Sequence, residues 1–249
     1  MCHPACIRRI RHYVKFNCRL NRNTYGVILL MRYLLYFLYL EWYWGLRLAL
    51  FIIRHEIRGE KKYGIRTIGI ENLSDTIPFE DRIHVSRYEP VNYYTSSRLL
   101  DYLQPSDFTT TFLDAGCGKG RLLAMGAAYG FSDIIGIDFS KKLCNMAANV
   151  CSRIKTRYPD ISITVECADA RQYCIPETVG VIFLFNPFDS VVMDGFIQKV
   201  FESLSRKNRP LKVLYANPQC KQQWLEAGFK EIASFIKLKY LQGSVLEKK

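Results

Sequence analysis

The chain has 249 residues, 49% of them hydrophobic, enough to bury one sizeable core. Its nine cysteines stand at irregular spacings that form no disulfide framework, and Cys2-His3 and Cys6 lack the second ligand pair of a zinc site, so no metal is expected. The net charge of +12 is uneven: residues 1–62 hold 12 Lys and Arg against 3 Asp and Glu, whereas residues 63–249 hold 23 against 20, so the larger part lacks the basic groove that nucleic acid demands as a partner.

Residues 1–58 read as a basic, hydrophobic helical arm, with six Lys and Arg and no acid in the first 24 residues. The apolar run 25–53 resembles a membrane span until Arg32, Glu41 and Arg47 are placed in it, each costing about 2.5–3.5 kcal/mol at a bilayer centre. At helical spacing Arg32, Tyr36, Tyr39, Tyr43, Arg47, Arg54 and Arg58 form one narrow stripe, leaving a broad apolar remainder. Three readings follow: a helical cover packed on the rest of the chain, an amphipathic helix in the headgroup zone of a membrane surface, or a true span. No small-residue cleavage site follows the run, so a secretory leader is not expected and the location is cytoplasmic, with membrane association through residues 25–53.

Residues 59–110 read as a connector and lid, mixing turn residues, Pro78 and Pro90 with short β-like runs. His84 lies there, as a solvated loop residue or a catalytic one. The Ser/Thr cluster in NYYTSSRLLDYL, 92–103, predicts a helix that starts near Thr95–Ser97 and ends before Pro105.

Residues 111–249 read as an α/β core. FLDAGCGKGRLL, 112–123, is an apolar strand closing on Asp114, then Gly116, Gly118 and Gly120, then an apolar helix. Glycines there let backbone turn sharply beside a ligand, and the helix start offers unpaired N–H groups. IIGID, 134–138, ends in Asp138, 18 residues beyond Gly120, the distance at which a helix and the next strand bring a carboxylate to ribose hydroxyls. A helix follows from Ser140 with Leu143, Met146, Ala147, Val150 and Ile154 on one face. ISITVECADA, 161–170, is a strand followed by Asp169, and VGVIFLFNPF, 179–188, is an apolar strand ending in Asn186-Pro187-Phe188. Open parallel sheets bind ligands at this carboxyl edge. KVLYANP, 212–218, predicts a fifth strand, followed by a short helix at 219–227 and the run FKEIASFIKLKY, 229–240; only SVLEKK remains for the second arm of a closing hairpin, so the last strand is expected to be short or absent.

The dinucleotide fingerprint places a third glycine where this chain has Arg121, so a nicotinamide site is disfavoured. Asp-x-Gly-x-Gly-x-Gly resembles the cofactor loop of class I S-adenosylmethionine-dependent methyltransferases. The order KKYGIRT, RYEP, FLDAGCGKGR, IIGIDFS, CADA, FLFNPFD and LYANP is similar to a little-characterised bacterial group of them over roughly residues 60–235. The resemblance implies a Rossmann-like fold, a doubly wound, mostly parallel sheet with helices on both faces, and S-adenosyl-L-methionine as cofactor. It implies cofactor contacts from Asp114, Ala115, Gly116, Cys117, Gly118, Gly120, Asp138, Phe139, Asp169, Ala170, Asn186 and Tyr88. Asp114 would sit below the loop and accept its backbone N–H groups, a Cβ at Gly116 or Gly118 would strike the methionine part of the cofactor, and Asp169 would meet the adenine amino group.

In amino-directed methyltransferases this fourth strand ends in a polar residue, two prolines and an aromatic. Here Asn186, Pro187 and Phe188 are the catalytic candidates, with one proline; Asn186 would orient the acceptor, or serve the cofactor or the turn, and Phe188 would wall a flat acceptor or fill the domain edge. Tyr88 and Tyr94 would close the site or simply pack. Lys119 and Arg121 would attract an acidic acceptor or lie on the surface, and Asp189 and Glu89 would suit a cationic amine. The acceptor is an unidentified protein side chain or small molecule, and the alternative is a non-catalytic nucleoside-binding or membrane-docked protein with the same fold.

Overall fold

The computed structural model describes residues 22–69 and 88–249; His84, with the rest of 70–87 in the expected connector and lid, lies outside them. The chain divides between Ala49 and Leu50 into two compact units, nine residues before the boundary drawn from sequence. The first holds helix α1, Arg22–Trp44, and the start of α2, Leu46–Tyr63. Gly45, at φ +83, separates them. Among the described residues no helix is long and apolar enough to cross a membrane.

The second unit continues with α3 (Tyr93–Leu100), β1 (Thr111–Ala115), α4 (Arg121–Tyr129), β2 (Asp133–Asp138), α5 (Lys141–Arg157), β3 (Ser162–Cys167), β4 (Val179–Phe185), α6 (Ser190–Arg206), β5 (Leu211–Ala216), α7 (Lys221–Glu226), β6 (Lys230–Lys237) and β7 (Leu241–Lys248). The sheet order is β3-β2-β1-β4-β5-β7-β6. The first five strands are parallel, and β7 runs antiparallel to both β5 and β6. This is the Rossmann-like class I fold expected from the alternation of strands and helices.

Alternate residues of each buried strand feed two cores. Phe112, Ile134, Phe183 and Leu214 pack with α3, α4 and α5 on one face, and Leu113, Ile135, Ile182 and Val213 pack with Met193, Phe196 and Trp224 on the other. Strand order reverses between β1 and β4, and at such a switch point the carboxyl ends of the strands splay into a crevice.

Helix starts follow side-chain capping: Ser140 accepts from Leu143 N at 3.4 Å, and Asp189 from Val192 N at 2.9 Å. Asp189 is thus the cap of α6. Asn92 caps α3 by accepting from Thr95 N at 2.9 Å, so that helix begins at Tyr93 and not in the Ser/Thr cluster at 95–97. A β-region Asn immediately before the helix supplies the cap that the cluster was expected to supply.

The expectation of a short or absent last strand is wrong. β7 has eight residues, pairs with β6 from Leu241 to Glu247, and carries Val245 and Leu246 fully buried. Leu238 and Lys239 make the preceding turn at φ 51 and 67, without glycine or proline. The strand therefore starts at Leu241, three residues before SVLEKK.

Candidate functional site

The crevice at the switch point is a cavity of about 530 Å³, bounded by the loop after β1, the ends of β2 to β5, and residues 88–91. Asp114, Gly116, Cys117, Asp138, Phe139, Asp169, Ala170, Asn186, Pro187, Phe188 and Tyr88 all line it. Ala115, Gly118 and Gly120 do not. They lie within the strand and loop that shape the wall.

All three loop glycines have left-handed backbone, at φ +83, +53 and +83, which costs a residue with a Cβ about 1–2 kcal/mol. A Cβ on Gly116 would fall 2.6 Å from Cβ of Pro187, and one on Gly118 would overlap the Tyr88 ring. In this structure the neighbours that exclude a side chain are protein atoms. The loop N–H groups are also engaged internally: Gly116 and Cys117 donate to Ile137 O at 2.8 and 2.9 Å, and Gly120 to Cys117 O at 2.8 Å.

Gly118 N donates to Asp138 Oδ2 at 2.9 Å, and Ser140 N to Asp138 Oδ1 at 2.9 Å. Asp138, not Asp114, is therefore the carboxylate that fixes the loop, because β2 ends directly behind it. Asp114 makes no such bond among the described residues. Burial, and then the neighbouring Asp138, push the Asp114 carboxyl well above the ordinary range. Burial raises Asp138 to about 6, against the two N–H bonds that hold it down. Cys117 is buried and its thiol is pushed up by the same desolvation, which keeps it protonated and unreactive.

Asp169 is tied to Arg171. The guanidinium Nη2 lies 2.6 Å from Oδ2, and Arg171 N donates to Oδ1 at 2.9 Å. These bonds hold its carboxyl below the usual value.

At the opposite end, β4 and β5 finish in register, Phe185 opposite Ala216. Each is followed by an Asn-Pro step with Asn in the left-handed region, Asn186 at φ 41 and Asn217 at φ 48. Both line the cavity. Oδ1 of Asn186 is buried with no hydrogen-bond partner. Phe188 faces the cavity and packs on Phe196 with ring centroids 5.6 Å apart, so it both walls the site and fills the domain edge.

The basic residues of the loop are not on the surface. Lys119 is 3% exposed and Arg121 2%. Arg121 donates to Glu56 through Nη1 and Nη2 at 2.8 and 2.7 Å, to Thr67 Oγ1 at 2.8 Å and to Val91 O at 2.6 Å, and its guanidinium lies 4.1 Å from the centre of the Tyr93 ring. A cation in the first turn of a helix opposes the helix dipole, and the Glu56 pair overrides this. Burial pushes the Glu56 carboxyl up while Arg121 pulls it down. Glu60 completes the clasp by accepting from Thr67 and Ile68 N at 2.6 and 2.8 Å. Arg121 lines the cavity with its guanidinium committed to the Glu56 carboxylate, and Glu56 belongs to the stretch expected to be arm.

Tyr94 does not close the site. It packs edge-on against Phe51, His55 and Phe235. Glu89 does line the cavity. Asn217 was visible in sequence as the end of strand five, and its register with Asn186 marks it as a site residue.

Residues 112–210 match the sequence family described as a methyltransferase domain, and the fold is that of the class I S-adenosylmethionine-dependent methyltransferases, whose cofactor this crevice suits. Among solved structures, a Pyrococcus horikoshii protein provisionally described as an RNA methyltransferase aligns with a TM-score of 0.52 at 15% identity, over 78% of this chain and 96% of its own. Magnesium protoporphyrin IX methyltransferase from Synechocystis PCC 6803, solved with bound cofactor, gives 0.46 at 17% identity, over 62% and 75%. Ribosomal protein L11 methylase from Lactobacillus delbrueckii subsp. bulgaricus gives 0.46 at 13%, over 65% and 88%. No curated protein matches by sequence.

Proposed function

We propose that the protein transfers a methyl group from S-adenosylmethionine to an amine nitrogen on a protein side chain or a small molecule. The observation that supports a nitrogen acceptor is the buried, unpartnered Oδ1 of Asn186 at the end of β4. Leaving such an acceptor unmet costs about 1–3 kcal/mol, a debt that an incoming N–H group removes.

When bound, the cofactor supplies a sulfonium methyl that is already electrophilic. What remains for the chain is to hold a nucleophile in line and exclude water. Asn186 Oδ1 accepts an acceptor N–H and so fixes the direction of the nitrogen lone pair. Pro187 has no N–H, so its main chain offers only a carbonyl acceptor. Phe188, braced on Phe196, walls the cavity against solvent. On the cofactor side, Asp138 would accept ribose hydroxyls while still gripping the loop, since each carboxylate oxygen has a second lone pair. Phe139, Ala170 and Asp169 would border the adenine, and Asp114, Gly116, Cys117 and Tyr88 the methionine part.

The test is transfer of label from methyl-tritiated S-adenosylmethionine into lysate fractions, with wild type beside Asn186→Ala. Labelling by wild type that survives acid and base hydrolysis as an N-methyl amine or N-methyl amino acid, and is lost in the variant, supports the reading. Cofactor binding by wild type with no labelled product supports the non-catalytic alternative.

A further inference from the structure

We infer that the outward face of α2, residues 50–62, docks on an anionic lipid surface. This helix sorts its charges by side. Its two carboxylates, Glu56 and Glu60, are 0% and 6% exposed and are consumed inside the protein by Arg121 and by the N–H groups of Thr67 and Ile68. Arg54, Arg58, Lys61 and Lys62 are exposed, together with Leu50 and Ile57. At 3.6 residues per turn these six side chains cover one arc of about 140°, the aliphatics at one margin and the cations across the rest. The arc carries no carboxylate, and none of its cations makes an ion pair among the described residues.

Neighbouring chain extends the basic face. Arg157, exposed on α5, donates through Nη1 to Lys62 O at 3.0 Å. The limit of the face is Asp101, bonded to the hydroxyl of Tyr129, whose ring centre lies 5.9 Å from Lys62 Nζ.

Cations alone would suit any polyanion. Aliphatic side chains beside them favour lipid over nucleic acid, because an interfacial helix buries such residues at the boundary between headgroup and acyl chain while its cations meet anionic headgroups. α1, taken by itself, points the same way. Leu30, Met31, Leu34, Leu35, Leu38 and Trp42 are each at least 50% exposed along its length. Since no described helix is long and apolar enough to cross a bilayer, the contact is with its surface.

The test is flotation of the full chain with vesicles of phosphatidylcholine alone and of phosphatidylcholine with one third phosphatidylglycerol. The protein should float with the anionic vesicles and much less with the neutral ones. Reversing two exposed cations, Arg54→Glu with Arg58→Glu, should lower partitioning about tenfold or more. Ile57→Ser should lower it less. Thermal midpoint and affinity for S-adenosylhomocysteine should be unchanged in both, which separates lost docking from lost folding. Equal flotation with both vesicles, or undiminished flotation of the double variant, overturns the assignment. So does a single-stranded RNA oligonucleotide that binds wild type and not the double variant while vesicles do not, or a variant whose only change is loss of self-association.

Discussion

The two ends of the cavity are built on opposite terms. At the glycine-loop end nearly every polar group is already bonded within the protein: loop N–H groups to Ile137 O and Asp138, Arg121 to Glu56, Thr67 and Val91. At the β4–β5 end two left-handed asparagines stand side by side and one carboxamide oxygen has no partner at all. Tyr63 OH, Tyr93 OH, Thr95 Oγ1 and Asn186 Oδ1 are buried without a partner among the described residues, and of these only Asn186 lines the cavity, where a ligand can supply the missing bond. On the function proposed above, the first end would be a preset frame for the cofactor and the second the place where an acceptor supplies the missing bond.

Substitutions at the two ends should separate accordingly. The largest effect belongs to Glu56→Ala, which strands a buried guanidinium and should cost about 3–5 kcal/mol in chemical denaturation. Arg121→Met should cost less, because a buried carboxyl can take up a proton and a guanidinium cannot lose one. Combining Glu56→Met with Arg121→Met should restore much of the loss; no recovery would mean the pair does more than neutralise itself.

Asn186→Ala should do the reverse, lowering methyl transfer about 100-fold or more with denaturation midpoint and S-adenosylhomocysteine affinity nearly unchanged. A large loss of stability would return Asn186 to the frame. Next, Gly118→Ala should cost about 1–2 kcal/mol of stability for its left-handed backbone, and weaken cofactor binding by displacing Tyr88.

The pH dependence tests the same end through Asp138, whose carboxyl is raised to about 6. If ribose hydroxyls require the carboxylate, binding competes with a proton below that value. Affinity for S-adenosylhomocysteine measured by calorimetry should be flat above pH 6 and fall as pH drops through it, approaching about tenfold per unit. Asp138→Asn should abolish the slope. The smallest effect is expected at Asp169→Asn, where the pair with Arg171 is more than a quarter exposed on both sides; stability should change by less than about 1 kcal/mol.

The parallel sheet and its carboxyl-edge residues were legible because β1, β2, β4 and β5 are short apolar runs that close at Asp, Asn or Gly, and the cavity draws on those closing residues. What escaped reading depends on contacts distant in sequence or on turns without the usual residues. The partner of Arg121 lies 65 residues upstream, so a loop arginine with a surface look is in fact the centre of a buried clasp. The Leu238–Lys239 turn is left-handed without glycine, which hid the full length of β7. That Asp138 and not Asp114 holds the loop follows from which strand end backs it, a matter of register that spacing alone does not reveal.

The most direct measurement is calorimetric titration of the full chain with S-adenosylhomocysteine near neutral pH, beside Gly116→Arg. The account predicts saturable one-to-one binding to wild type and none to a variant whose new side chain must enter the space of Pro187 and the cavity. Absence of binding by folded wild-type protein, or binding that Gly116→Arg leaves intact, would contradict it.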